Sequence, residues 1–447
     1  MASKYDYELV VIGAGSGGLS AARRAAKLGK RVAIAEKNHV GGTCVNRGCI
    51  PTRLMVYAAE FAKQQQLAGD YGWVNQKRRS DRVFDWASFR QTMDGHVRSL
   101  RKRQAESLEN IDILRGQAEF IDAHTLKIDE RKVTAQFVLI AVGSRPKMPD
   151  IEGINYAMDS RDVLNLESLP ESLLVVGGGY IGIEIAQVMR CYGCEVTVVE
   201  SNPYVLDGFD CDVQKRVKQL LIDDGIKVVD DARLKKIERV DSALAATLGN
   251  GKTVEADKIL CALGRTANID TLNLAAVDVI THKGKIVVDE QKRTQEESIF
   301  AVGDCTDTIM LTPVAIAEGK AAVEAMFEGK AAKLDYRWVP SAVFLHPEVA
   351  MVGPTEEEAK DQGEDFEIVS TTFTPLRYAI SAEPLEAMIK LIVRSSDQQI
   401  LGVHMVAPRA ADLVQALVPA LKKGLSVDEL REIIPIHPST GEEIFSL

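Results

Sequence analysis

The feature that most constrains this chain is a glycine-rich unit that occurs twice. The first copy runs from the apolar stretch Glu8–Ile12 into G13-A-G15-S16-G17-G18, a helical stretch over Leu19–Leu28, and a second apolar run, VAIAE, ending in Glu36. The second copy, SLLVVGGGYIGIEIAQVMRCYGCEVTVVE, places Gly177, Gly179 and Gly182 in the same pattern and closes on Glu200. In each copy the acid lies 18 residues beyond the third glycine, from Gly18 to Glu36 and from Gly182 to Glu200. Strand, glycine turn, helix, strand and acid describe a βαβ unit. Such a unit seats a dinucleotide pyrophosphate on a helix N-terminus, and its acid accepts from a ribose hydroxyl. One G-x-G-x-x-G is weak evidence. Two copies in this context, with the same acid spacing, predict two dinucleotide-binding folds.

Just downstream of the first copy lies GGTCVNRGCIP, with Cys44 and Cys49. A dithiol placed there can exchange electrons with whatever the unit binds. Two dinucleotide folds and a dithiol together imply a relay from nicotinamide through a second redox cofactor to a disulfide. The competing reading is a structural disulfide, which a cytosolic redox protein has little use for. The seven cysteines are an odd number in a long chain, which does not suggest a disulfide scaffold. Cys191 and Cys194 form a second C-x-x-C, CYGC. Zinc and redox readings exist for it, but no second pair or nearby histidine completes a tetrahedral site. Packing as small apolar side chains at the end of a helix is the favoured reading.

At 447 residues the chain is expected to hold two to four domains. Apolar residues make up 46% and charged residues 26%, as in a globular protein, and the net charge of −10 argues against general nucleic-acid affinity. No apolar run reaches the ~18–20 residues needed to span a bilayer. The start, MASKYDYELVVIG, enters a strand without the n-, h- and cleavage regions of a secretory signal. A cytoplasmic protein with no membrane or nucleic-acid partner is expected.

Further along, Thr52–Gln66 reads as helix, Asn75–Arg82 as a basic loop, and the segment from Phe84 to Glu109 as one long helix. Short strands are expected from Ile111 to Leu139. LIAVGSRP leaves the first domain, and LCALGRTAN, a near echo of it, closes the second. IFAVGDCTDTIMLTPVAIAEG is a buried strand, an acid (Asp304) and a helix from about Pro313. From about Tyr336 the pattern changes to alternating strands followed by helices near Ala411–Lys423 and Ser426–Ile433, an antiparallel α+β domain suited to assembly. The expected architecture is α/β, with two Rossmann-like dinucleotide-binding domains and a C-terminal α+β dimerisation domain. The boundaries are 1–147 with 272–335, then 148–271, then 336–447.

These motifs resemble those of the class I pyridine nucleotide–disulfide oxidoreductases over the whole length, closest to the glutathione reductase branch. The resemblance rests on the first glycine loop, GGTCVNRGCIP, GGGYIGIE, the echo pair, AVGD, LTPVAIAEG, FTPL and HPSTGEE. It implies FAD in the first domain, NADH or NADPH in the second, and a homodimer whose active site is shared between subunits. It further implies that Cys49 faces the flavin and Cys44 the substrate. His437, oriented by Glu442, is the implied acid–base from the other subunit. Tyr180 resembles the aromatic gate over the flavin, and Glu184 the carboxylate near flavin N5. FAD contacts are implied for Gly13, Gly15, Ser16, Gly17, Gly18, Glu36 and Lys37. The same holds for Gly42, Thr43, Ala118, Gly143, Asp304, Leu311 and Thr312. NAD(P) contacts are implied for Gly177, Gly179, Tyr180, Ile181, Gly182, Glu200 and Gly264, and substrate contacts for Arg23, Arg101 and Lys320.

The chain departs from the family pattern in three places. The lysine that usually follows the dithiol and pairs with the Glu184 equivalent is replaced by Thr52-Arg53. Arginine keeps the charge but is bulkier and does not deprotonate. The segment after Glu200, SNPYVLDGFD, offers no arginine for a 2′-phosphate, and a carboxylate repels one, so NADH is the expected donor. Lys320 and Gln104 stand where arginine and tyrosine are expected for glutathione. The expected activity is FAD-dependent NAD(P)H reduction of a low-molecular-weight, glutathione-like disulfide through Cys44–Cys49. The alternatives are another acceptor on the same machinery (a mercuric or other metal ion, a dihydrolipoyl group or a quinone) or a redox-dependent protein-binding flavoprotein.

Overall fold

The computed structural model describes residues 4–73, 84–330 and 334–447, so the basic stretch Asn75–Arg82 lies outside the described residues. The chain forms two compact units. The first comprises Met1–Thr52, Ser88–Lys147 and Gly264–Leu334, and the second Arg53–Ala87, Met148–Leu263 and Asp335–Leu447.

The first unit is built on a seven-stranded sheet. Tyr7–Ile12 lies parallel between Val32–Glu36 and Arg131–Ile140, and Ile111–Arg115 extends the sheet beyond Val32–Glu36. The C-terminal end of Arg131–Ile140 also pairs parallel with Ile299–Ala301. Its first half bends into an antiparallel meander with Thr125–Ile128 and Ala118–Asp122. Continuous apolar runs such as LVVI and VAIA suit parallel strands covered on both faces. Leu9, Val11, Ile34, Leu139 and Phe300 pack beneath the helices Ser16–Lys27 and Thr312–Glu328, while Val10, Ile12, Phe120 and Leu126 pack on the opposite face. The two helices cross closely. A Cβ on Gly319 would fall 2.4 Å from Gly17 O, and Ser20 Oγ donates to Ile316 O at 2.9 Å.

The echoed motifs meet in space. Ser144–Pro146 pairs antiparallel with Arg265–Ala267, with Ser144 opposite Ala267. Lys147 N–H donates to Gly264 O and Asn268 N–H to Gly143 O, each at 2.9 Å. The internal repeat is thus a two-stranded tie in which each copy closes the other.

The dithiol segment is more helical than the sequence reading had it. Cys44 sits in a short helix, Gly42–Arg47, and Cys49 opens a long one, Cys49–Asp70. Pro51 is tolerated in the first turn, where no intrahelical donor is needed. From Arg53 onward this segment bonds within the second unit. Tyr192 O–H donates to Met55 O at 2.8 Å, Trp86 Nε1 to Leu166 O at 2.7 Å, and Lys63 pairs with Asp224 at 2.7 Å.

The second unit contains the repeat's other parallel sheet, in the order Lys227–Val229, Glu195–Val199, Ser172–Val176, Lys258–Cys261. The helix Tyr180–Cys191 joins two of these strands, and a three-stranded meander over 234–256 packs beside them. Cys191 ends that helix. Cys194 is buried, which pushes its thiol up to about 11. The C-terminal part is a five-stranded antiparallel sheet in the order Ser341–Val343, Glu348–Val352, Ile400–Ala407, Ala387–Arg394, Phe366–Phe373, with the helix Ala410–Leu421 against it. Ile400–Ala407 is buried along its whole length, so the central strands are covered on both faces and do not alternate. Lys390, buried in the neighbouring strand, is neutralised by Asp210, Asp212 and Glu356 at 2.7–2.9 Å. Among the described residues no helix is long and apolar enough to cross a membrane.

Candidate active site

Both glycine loops are shaped by the same steric demands. Gly13 and Gly177 have φ of 106° and 107°. A Cβ on either would fall 2.5 Å from a carbonyl oxygen, that of Ala141 or Ala262. A Cβ on the third glycine, Gly18 or Gly182, would lie 2.0 or 2.1 Å from the first glycine's carbonyl oxygen. Gly15 and Gly179 then start the helices in extended conformation with no capping side chain. A helix start without a side-chain cap is the kind of N-terminus on which an anion is seated. Gly42, with φ of 59°, brings the dithiol segment against the first loop, since a Cβ there would lie 2.6 Å from Gly15 Cα. This cradle fits a pyrophosphate, and at Gly13, Gly18 and Gly42 it has no room for a side chain.

The two acids also do identical structural work, which the ribose reading alone missed. Glu36 Oε2 accepts from Ala14 N–H at 2.8 Å and Oε1 from Asn38 N–H at 2.6 Å. Glu200 Oε2 accepts from Gly178 N–H at 2.7 Å and Oε1 from Asn202 N–H at 2.9 Å. Each carboxylate ties its own glycine loop to the turn after the second strand, and its remaining lone pairs can still accept from a ribose.

Cys44 and Cys49 are free thiols here, and they are not equivalent. The hydrogen bond from the Cys44 thiol pulls Cys49 down to about 6. The same bond, reinforced by burial, pushes Cys44 up. Thr312 adds to the effect on Cys49, with its Oγ1 3.6 Å from Cys49 Sγ. Thr312 is the first residue of a 17-residue helix that follows Leu311, has proline at its start and lacks a side-chain cap. The reduced pair thus holds its negative charge on Cys49 and its proton on Cys44. Asn46, between the cysteines, braces the short helix by donating to Val40 O and Gly42 O, and Arg101 Nε donates to Asn46 Oδ1 at 2.8 Å.

Asp304 is fixed by the echo pair. Ser144 Oγ donates to its Oδ2 at 2.6 Å, and Arg265 donates to Ser144 Oγ at 2.7 Å and Ser144 O at 2.8 Å. Glu318, fully buried, accepts from Gly303 N–H and Thr308 O–H, each at 2.7 Å, and pairs with Lys292 at 3.0 Å. The sequence reading singled out none of Ser144, Arg265 or Glu318. The repeated GSR and GRT were the available signal for the first two.

In the second unit Tyr180 is 42% exposed at its loop, Ile181 is half-buried, and Glu184 is buried and accepts from Phe344 N–H at 2.7 Å. Arg53 does not take the lysine's expected partner. Its Nη2 pairs with Glu348 at 2.7 Å, its Nη1 lies 3.9 Å from Glu60, and its guanidinium stacks on Phe344 and Tyr57 at 4.0 and 4.5 Å. The longer, planar fork reaches the C-terminal sheet and packs flat on aromatic rings, as a lysine cannot. His437 Nδ1 donates to Glu442 Oε2 at 2.7 Å, leaving its ring exposed. Ser439 N–H, and then His437, hold the Glu442 carboxyl below the usual range.

The remaining candidates are spread out. In the first unit Lys37 and Lys320 are exposed, Thr43 lies in the short dithiol helix, and Ala118 is buried in the meander. Gly143 and Gly264 take positive φ in the echo pair. Arg23 donates to Ser107 Oγ at 2.7 Å and Arg101 to Asn46, so two of the three implied substrate contacts have partners within the fold.

The chain matches the pyridine nucleotide-disulphide oxidoreductase family over residues 7–319 and that family's dimerisation domain over residues 339–446. It is 37% identical to a glutathione reductase of Nostoc sp. over 99% of both chains. It is 35% identical to a dihydrolipoyl dehydrogenase of Geobacillus stearothermophilus, over 98% of this chain and 94% of the other. Among solved structures it resembles the HOCl-induced flavoprotein disulfide reductase RclA from Escherichia coli, with a TM-score of 0.87 and 28% identity over 99% of each chain. Glycine loops, the Cys44/Cys49 pair and full-length likeness agree, and the chain belongs to the pyridine nucleotide-disulphide oxidoreductases, flavin-dependent enzymes that act on disulfides.

Proposed function

We propose that the chain reduces a low-molecular-weight disulfide of glutathione type, with NADH as the preferred donor, in a homodimer whose active site combines residues of both subunits. The supporting observation is the polarised dithiol: a Cys49 thiol drawn down to about 6 beside Thr312, and a Cys44 that keeps its proton. In this reading residues 1–147 with 272–335 hold FAD, 148–271 hold the nicotinamide dinucleotide, and 336–447 form the dimer interface. Bound FAD supplies a two-electron carrier between hydride donor and dithiol.

The residues account for the thiol half of the reaction. The reduced pair stores its charge on Cys49, so Cys44 needs a base before it can attack. The partner subunit's His437, held by Glu442, takes that proton. Cys44 sulfur then displaces one thiolate from the acceptor disulfide, and the imidazolium protonates the leaving sulfur. Cys49 thiolate attacks Cys44 in the mixed disulfide, restores the Cys44–Cys49 bond and releases the second product as its thiolate.

Glu200 supports NADH, because no arginine follows it before Arg216 and its carboxylate repels a 2′-phosphate. A different acceptor is the second reading. It is favoured by the internal partners of Arg23 and Arg101 and by the dihydrolipoyl dehydrogenase among the relatives. Anaerobic reduction with NADH and NADPH in parallel, followed by glutathione disulfide, separates the readings. Fast reduction by NADH and prompt reoxidation by glutathione disulfide are expected. Reduction without reoxidation would sink the glutathione assignment, and faster reduction by NADPH would sink the donor assignment.

A further inference from the structure

The loop that begins at Glu200 carries Asp207 and no cation of its own as far as Asp210, yet a lysine from another element reaches it. Lys218, on the helix Cys211–Asp223, donates its ammonium to Pro203 O at 3.1 Å and lies 5.4 Å from the centre of the Tyr204 ring. The same ammonium forms a close ion pair with Asp230, the residue after the strand Lys227–Val229. That strand end lies beside Glu200. Glu200 N–H donates to Val229 O and Ala232 N–H donates to Glu200 O, both at 2.9 Å. A lysine ammonium therefore rests on the ribose-side loop three residues past the acid, with its charge cancelled by an aspartate anchored to the neighbouring strand.

We propose that the Lys218–Asp230 pair sets the dinucleotide preference of the second glycine loop, with Asp230 withholding from a 2′-phosphate a lysine placed to bind one. This rests on the reading of that loop as the nicotinamide-dinucleotide site. An adenosine 2′-phosphate carries nearly two negative charges at neutral pH, and a lysine on a flexible four-carbon stem binds phosphate as a point charge. With Asp230 ionised, Lys218 is neutralised, and Glu200 and Asp230 both oppose a second anion. The lysine holds Asp230 below its usual range, so this arrangement persists throughout the neutral region. Both side chains reach solvent, 22% exposed for Lys218 and 37% for Asp230, so the ammonium is free to swing once released.

The experiment is calorimetric titration of the full-length, FAD-loaded chain with 5′-AMP and with adenosine 2′,5′-bisphosphate. The wild type should favour 5′-AMP. In Asp230→Asn the affinity ratio should move toward the bisphosphate by about fivefold or more, the effect of one unit charge a few ångströms away in a largely aqueous dielectric. Adding Lys218→Met to that variant should abolish the gain. Binding of 5′-AMP reports on each variant's folding. An unchanged ratio in Asp230→Asn, or a gain that survives loss of Lys218, would overturn the inference while leaving the dinucleotide reading intact. A wild type that binds neither nucleotide would overturn that reading and the inference with it.

Discussion

A thiolate beside a helix start has two sources of stabilisation, and Thr312 contributes both. Its hydroxyl approaches Cys49, and its position opens the uncapped helix that presents backbone amides to the same region. A hydrogen bond to a charged group is worth roughly 1.5–3 kcal/mol, less at a long sulfur–oxygen separation. Thr312→Val is therefore expected to raise the Cys49 pKa from about 6 by about one unit. The thiolate form exists above the pKa, so the variant loses thiolate at a higher pH than the wild type. The ultraviolet thiolate absorbance of the reduced protein, titrated against pH, reads this directly, and Thr312→Ser should restore the wild-type curve. An unshifted curve in the valine variant would leave the Cys44 hydrogen bond as the cause.

The helices Ser16–Lys27 and Thr312–Glu328 work as one element because glycines let them touch. The first presents its uncapped N-terminus at the glycine loop, and the second presents Thr312 to Cys49, so their crossing sets the spacing of two parts of the site. Gly319→Ala places a methyl 2.4 Å from Gly17 O, where only backbone movement gives relief. Overpacking of this kind costs about 1–3 kcal/mol. The variant should lose that much stability by urea denaturation and should also retain flavin less tightly on dialysis. A stable variant with normal flavin retention would mean that the crossing tolerates a shift. The helix and strand positions were largely legible in the sequence, because apolar period and glycine punctuation are local signals. The short helix at Cys44 and the early start at Cys49 were not, because six residues flanked by Gly41 and Gly48 carry no period.

For the whole molecule, His437 is a residue poorly served by its own chain. Its ring is 79% exposed, Glu442 has fixed its orientation, and the neighbouring Ile434 and Ile436 are 94% and 82% exposed. Such a stretch suits burial against a second copy, in line with the dimerisation domain matched over 339–446. If the partner completes the site, His437→Ala lowers turnover by roughly 10²–10⁴-fold, and Cys44→Ser abolishes it. Coexpression of the two variant chains should then restore activity. One site in each mixed dimer joins an intact Cys44 to the partner's intact His437, giving about half the wild-type rate per dimer. Mixed dimers as inactive as either parent would exclude a shared site.

The sequence by itself determined the duplicated dinucleotide fold, the placing of a cysteine pair beside the first glycine loop, and the family. These depend on glycines, acids and cysteines whose spacing along the chain is already the chemistry. Only the tertiary structure decided which sulfur holds the charge, because it aims the Cys44 thiol at Cys49 and brings in the Thr312 hydroxyl from 263 residues away. It also turned Arg53 toward Glu348 and bound the two echo motifs to each other, across separations of 295 and 121 residues. Local pattern carries no record of such distant pairings. They are set by which buried charges and open backbone groups find partners when the sheets close.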